Sequence, residues 1–240
     1  MGEECDRWRP VRVKRLYLTV EGQTEQAFAV DVLQPHLTQF NVMLLKPRLT
    51  GLHARRRGRI PTGGLLNSFR HSLGDIKRWL LEDKSTDARF SMMVDLYSLP
   101  NDFPGYENVA GLTDPHRQAQ TLESALASEI CDRRFIPYLQ VHEFEALVLS
   151  RPIAFGKWFD NAEMQVQCLT EVCRGFESPE KINHGRDSHP KALIESCFCD
   201  YDDNVDGPAL AADIGLGTIR SACPHFHQWL AILESLDVET

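Results

Sequence analysis

The chain has 240 residues, 42% apolar and 25% charged, enough to bury a hydrophobic core without disulfide or metal staples. Its net charge of −8 argues against a protein that coats nucleic acid by charge alone. No run of about 18 apolar residues offers a membrane span, and the opening MGEECDRWRP lacks the apolar stretch of a secretory signal.

Taken in order, VRVKRLYLTV (11–20) alternates apolar and basic residues and then turns apolar, which predicts a strand entering the core. Lys14 and Arg15 fall at the end of that strand far from its carboxyl tip. A turn at Gly22 follows, then a helix with Phe28, Val32, Leu33 and Leu37 at helical spacing, which Pro35 kinks or ends. NVMLLKPRL reads as one second strand closed by Pro47, and GLHARRRGRIPTGG as a loop. Leu65, Phe69, Leu73, Ile76 and Leu80 mark an amphipathic helix, and ARFSMMVDLYSL a third strand. After a Pro- and Gly-rich loop, HRQAQTLESALASEICDRR is a helix. FIPYLQVHEFEALVLS begins as a strand and turns helical near Glu143.

This alternation predicts an α/β fold: a mostly parallel sheet flanked by helices over residues 1–150, with a helical C-terminal subdomain over 151–240 packed on it. In the second part KWFDNAEMQVQCLTEVCRGF reads as one helix and ESPEKINHGRDSHP as a polar loop. DYDDNVDG reads as a loop, and PALAADIGLGTIRSACPHFHQWLAILESL as helical with a break at Gly215–Gly217.

Ligands of open parallel sheets gather at the carboxyl ends of the strands. Glu21, Asp95 and the pair Glu143 and Glu145 fall at predicted strand ends, and Glu25 opens the first helix. Carboxylates on neighbouring strand tips suit Mg²⁺ or Mn²⁺, which take oxygen ligands and can activate water at a phosphodiester. Each such acid alone reads equally well as a solvated turn residue or a helix cap; their recurrence at successive strand ends is what suggests a metal site.

The same stretches carry a resemblance. VEGQTE at 20–25 resembles the first motif of Toprim domains, and MMVDLYSLP stands where their Asp-x-Asp motif lies. Together with DFPG, RFIPYLQVHEFEAL and the CPHF segment, the chain resembles a bacterial Toprim-like family of unknown function. That family is related to Toprim nucleases of the overcoming-lysogenization-defect type. The resemblance implies a Toprim-like, Rossmann-like fold with Glu21 and Asp95 as its first two acids. It further implies an anti-phage role beside an ATPase partner. Tyr97 replaces the second aspartate, so a second ion would need Glu143 or Glu145.

Other residues have two readings each. His142 is a general base or a residue that holds a carboxylate in place, and Tyr97 a phosphate or base contact or a rim aromatic. Arg55, Arg56, Arg57 and Arg59 suit a phosphate backbone or a solvated loop. Cys197, Cys199, Cys223, His225 and His227 lack the spacing of structural zinc sites. The aspartates of DYDDNVDG lack the glutamate of a calcium loop, Ala211 standing there instead. No P-loop is present, so ATP use would fall to a partner. Seven scattered cysteines without an export signal read as reduced thiols in the cytoplasm.

The expectation is therefore a Mg²⁺-dependent nuclease with catalytic Glu21, Asp95, Glu143 and His142. Glu21, Glu25, Asp95, Glu143 and Glu145 are its metal candidates, and DNA rather than RNA its partner. A homo-oligomer is left open. The alternatives are a non-catalytic module that binds nucleic acid or an ATPase, and a restriction-type nuclease using Glu82-x-Lys84, which sits at a helix end.

Overall fold

A β-strand whose two faces are both covered must be apolar along its whole length, and the first and third predicted strands meet that demand. In the computed structural model, which describes residues 13–50, 68–97, 99–182 and 188–237, they form the centre of a six-stranded sheet. β1 spans Lys14–Val20 and β4 spans Ala88–Asp95. They pair in parallel from Arg15↔Ala88 to Val20↔Met93. On one flank of β1 lie β2 (Val42–Leu44) and β3 (Arg48–Leu49); on the outer flank of β4 lie β5 (Phe135–Ile136) and β6 (Leu139–Gln140). Every pairing is parallel.

The second strand differs from the sequence expectation. NVMLLKPRL is two short strands, both on β1, because Pro47 has no N–H to donate and the ladder breaks around it. The backbone resumes at β3, and Thr50 N–H reaches Val20 O at 2.8 Å. Pro35 is absorbed rather than terminal. Helix α1 (Gln23–Phe28) runs through a widened π turn at Ala29–Leu33 into α2 (Gln34–Thr38), where proline occupies a first-turn position and no N–H is missed.

Alternate residues of the strands feed two cores. Leu16, Leu18, Val20 and Met93 point to one face, and Phe90, Met92 and Val94 to the other. The second face is covered by α3 (Arg70–Glu82) and α4 (Pro115–Ile130). The first is covered by α1 and α2 and by the C-terminal helices: α5 (Glu145–Val148), α6 (Glu163–Arg174), α7 (Pro190–Cys197), α8 (Asp206–Ile214), α9 (Leu216–Ala222) and α10 (Pro224–Glu234). The segment read as one helix from Lys157 starts later, at Glu163, after a 3-10 turn over Pro152–Lys157. Gly215 has φ 81° and separates α8 from α9, so the expected break is sharp. No described helix is long and apolar enough to cross a membrane, and the six described cysteines are free thiols.

Two polar anchors hold the helical layer to the sheet. Trp229 Nε1 donates to Ser91 Oγ at 3.0 Å, and Ser91 donates to Ile136 O at 2.7 Å, so α10 is pinned to β4 and β5. The second is Glu180, fully buried in a segment that composition alone marks as a polar loop. Its Oε2 accepts His225 N–H at 2.9 Å and its Oε1 accepts Phe226 N–H at 3.0 Å, which caps α10 behind Pro224. The same carboxylate is 3.0 Å from His116 Nε2 at the start of α4. A buried carboxylate is tolerated only when its oxygens are so partnered.

Glu180→Ala removes all three contacts and strands two helix N–H groups without water. It should lower unfolding stability by about 3–5 kcal/mol, against a smaller loss for Glu180→Gln, which keeps one acceptor. Urea titration of both variants checks this; equal midpoints for Ala and wild type would refute the anchoring role.

Candidate functional site

Parallel pairing of β1 with β4, and of β4 with β6 (Asp95↔Gln140), aligns three carboxyl ends along one edge of the sheet. Glu21 follows β1 directly, Asp95 ends β4, and Glu143 and Glu145 lie just past β6. The expected convergence is present: Glu21 Oε2 accepts the Asp95 N–H at 2.9 Å, and Glu21 N–H reaches Met93 O at 3.1 Å.

Gly22 is needed by this geometry. Its N–H donates to Glu25 Oε2 at 2.7 Å, and a Cβ at position 22 would meet that oxygen at 3.2 Å. Glu25 is thus turned back over the start of α1, buried, next to Glu21. Burial, then the charges of Glu21 and Asp203, push its carboxyl up to about 7. Asp95 goes further. Burial and the charges of Glu21, Glu25, Glu145 and Glu143 drive it well above the ordinary carboxylate range. Its Oδ1 is buried with no hydrogen-bond partner.

Past β6 the chain turns through His142, buried with φ 62°, whose carbonyl accepts Tyr97 N–H at 3.0 Å. The buried Glu143 then meets the N-terminus of α7: its Oε1 is 2.7 Å from His189 Nδ1 and accepts Lys191 N–H at 2.5 Å. Glu145, in the first turn of α5, is raised to about 8 by burial and the Glu143 charge, while Lys191 pulls the other way. Lys191 Nζ donates to Asp203 at 2.6 Å. Burial works against its charge, but that bond and the fields of Asp203 and Glu145 raise its pKa overall. Gly207 lets α8 close on this edge, since a Cβ there would meet Tyr201, Phe144 and Thr24 at 3.1–3.3 Å.

Sequence reasoning therefore named five acids that the fold gathers, Glu21, Glu25, Asp95, Glu143 and Glu145. It missed His189, which comes from a segment read as a polar loop, and Lys191 and Asp203, which follow it in the chain. The histidine bonded to Glu143 is His189. Arg55, Arg56, Arg57 and Arg59 lie outside the described residues. The cysteine and histidine set does not assemble: Cys223 is buried with Sγ 3.9 Å from Ala146 O, His225 meets Glu123 and His227 meets Arg220.

The donors at the strand ends are hard carboxylate oxygens, the chemistry of Mg²⁺ and Mn²⁺, and the orphaned Asp95 oxygen among mutually repelling carboxylates fits a cation. Among the described residues no three His, Cys, Asp or Glu side chains already stand in metal-holding arrangement. Any ion would be held through few direct ligands and its own waters, as Mg²⁺ usually is.

In metal-free buffer the raised carboxyls set a pH dependence. The folded state holds protons on Glu25 and Glu145 at pH values where the unfolded chain has released them. Stability is therefore greatest below about 4.5 for these groups and is lost as pH rises through about 7 and 8. Asp83, Asp87, Asp102, Asp132 and Glu234 are held low and titrate beneath this window. His225, raised by Glu123 despite its burial, adds in the same direction. With EDTA present, stability should fall by several kcal/mol from pH 5 to 8, and Glu25→Gln with Glu145→Gln should lower that slope clearly, leaving the part due to Asp95 and His225. Denaturant midpoints at three pH values measure it; an unchanged slope in the double variant would contradict the cluster's electrostatics.

Residues 20–234 match the family model described as Domain of unknown function (DUF4276). No curated protein matches the chain. Two solved structures do, both of the C-terminal region of the Xanthomonas campestris pv. campestris OLD protein, one phased with iodine and one with mercury. Each is 17% identical and covers 91% of this chain and 97% of its own, with TM-scores of 0.36 and 0.38. Scores that low lend the site nothing.

Proposed function

The chain belongs to the DUF4276 family, and from the acidic edge within that span we propose a Mg²⁺- or Mn²⁺-dependent hydrolase of nucleic-acid phosphodiesters. One observation carries the reading. Asp95 is a deeply desolvated carboxylate with an unpartnered oxygen, set among four other carboxylates at the carboxyl ends of a parallel sheet. A fold does not keep such a group for stability, and a strongly shifted acid in this position is the signature of a working site.

Glu21 and Asp95 would hold the ion, with Glu25 and Glu145 close enough to take part through water. A bound divalent ion would supply charge for the scissile phosphate and a more acidic water. Around it the chain's own residues have separable tasks. Glu21 also fixes the Asp95 backbone through its hydrogen bond, so substitution there alters both position and charge. Glu143 is orientated by His189 and the Lys191 N–H, which keep it directed. Lys191 is the cation seated against Asp203 and Glu145, placed to offset charge on a departing oxygen. His142 is an internal positioning residue in this reading, since its carbonyl fixes Tyr97. The Toprim-like resemblance of VEGQTE and MMVDLYSLP supports the same assignment and extends it to an ATPase partner and a defence role.

A second reading has its own support. Tyr97 stands where the Toprim pattern has its second aspartate, and among the described residues no three ligands are preassembled. Both features suit a module that binds nucleic acid or an ATPase without cleaving.

Purified protein with Mg²⁺ or Mn²⁺ should cleave DNA, with EDTA abolishing the activity. Glu21→Gln and Asp95→Asn should each lower the rate by about a hundredfold or more. Asp95→Asn should at the same time raise the melting temperature in EDTA, because it deletes a repelled buried charge. Nuclease gels and calorimetry on the same preparations read both. Cleavage surviving in both variants rejects the assignment, and nucleic-acid binding with no cleavage by wild type selects the binding module.

A further inference from the structure

The ring of Tyr97 has no part in either apolar core. It is 48% exposed, yet the residue is held from two directions. Its N–H donates to His142 O at 3.0 Å, and the preceding Leu96 N–H donates to Gln140 O at 2.9 Å. The β4–β6 ladder is thereby prolonged two residues past Asp95. The side chain lies flat against His189, centroids 5.2 Å apart and planes 26° from parallel. His189 is in turn fixed by Glu143, whose Oε1 is 2.7 Å from its Nδ1. With one face of the phenol covered by imidazole, the exposed half lies on the remainder of the ring. The result is an aromatic surface held in place two residues past Asp95.

From this geometry we infer that Tyr97, backed by His189, is a stacking platform for an unpaired nucleobase, so that the nucleic acid engaged at this edge is single-stranded. The inference rests on the phosphodiester reading for the class of ligand and specifies its form. Aromatic rings held at the rim of a backbone-binding groove take up single strands because every base has a flat π-face. A base inside a duplex has both faces occupied by its neighbours and cannot present one. Because stacking involves no reading of base edges, the platform is tolerant of sequence. One base laid on Tyr97 anchors the strand directly beside Asp95, which is the arrangement a hydrolase of this kind needs. The phenol oxygen has no role in the stacking, so Phe and Trp serve in place of Tyr.

Fluorescence anisotropy tests this with a labelled oligothymidylate of about 12 nucleotides, the matching duplex, and the same strand made abasic, all in Ca²⁺. Wild type should bind the single strand at least about tenfold more tightly than the duplex or the abasic strand. Tyr97→Ala should lose about tenfold or more on the single strand alone, while Tyr97→Phe and Tyr97→Trp stay within about twofold of wild type. Unchanged melting temperatures for the variants show that the fold is intact. The proposal is overturned if Tyr97→Ala binds like wild type, if it loses equally on the abasic strand, if Tyr97→Phe fails as badly as Ala, or if wild type prefers the duplex. Its failure is distinct from that of the hydrolase reading. Wild type that binds single strands through Tyr97 without cleaving keeps the platform and removes the enzyme, whereas cleavage indifferent to Tyr97→Ala does the reverse.

Discussion

The hydrogen bond from the Asp95 N–H to the Glu21 carboxylate is the constraint from which the site follows. Parallel pairing in the β1–β4 register leaves Val20 opposite Met93, so the next residues of both strands must emerge side by side. Once position 21 is Glu and position 95 is Asp, two carboxylates share one desolvated edge. Burial of each charged group is unfavourable and the neighbouring charge compounds it, which is why Asp95, Glu25 and Glu145 are all displaced upward. The fold tolerates this strain because two-sided apolar packing of β1 and β4 secures the register independently of what stands at the strand tips.

That division explains what was legible in the sequence. The run RLYLTV and the run RFSMMVD announce strands buried on both faces, and each ends on an acid before a turn or loop. Strand neighbours at a common edge follow from the α/β alternation alone, so the gathering of Glu21, Asp95, Glu143 and Glu145 could be anticipated. The split of the second strand could also have been read, because Pro47 lacks a donor in mid-ladder; composition over nine residues obscured it.

The remaining parts were hidden for a different reason. Glu180, His189, Lys191 and Asp203 sit in stretches with neither a period of two nor of 3.6, and their composition is that of solvated loops. Their roles depend on where the helical layer docks. Glu180 is recognisable as a buried cap only when α10 starts beside it, and His189 as a carboxylate clamp only when α7 starts beside Glu143. Local cues did exist in SxEK and in HPK, each a capping residue before a helix start, but such cues identify a helix end and not its tertiary partner.

The helical layer gives the acidic edge its asymmetry. At the β1–β4 side Glu25 and Asp95 feel the charges of neighbouring carboxylates, Glu21 among them, and both are raised. At the β6 side Glu143 is clamped by His189 and the α7 N-terminus, and Lys191 stands against Asp203 beside Glu145. One half therefore gathers carboxylates that push one another upward, while the other sets a histidine and a lysine against its acids. On the proposed metal-dependent reading, a divalent ion would relieve the greatest repulsion in the first half, while the second has Lys191 set against Asp203 and Glu145. Tyr97, two residues past Asp95, belongs to the clamped side, its ring lying against the His189 that Glu143 holds.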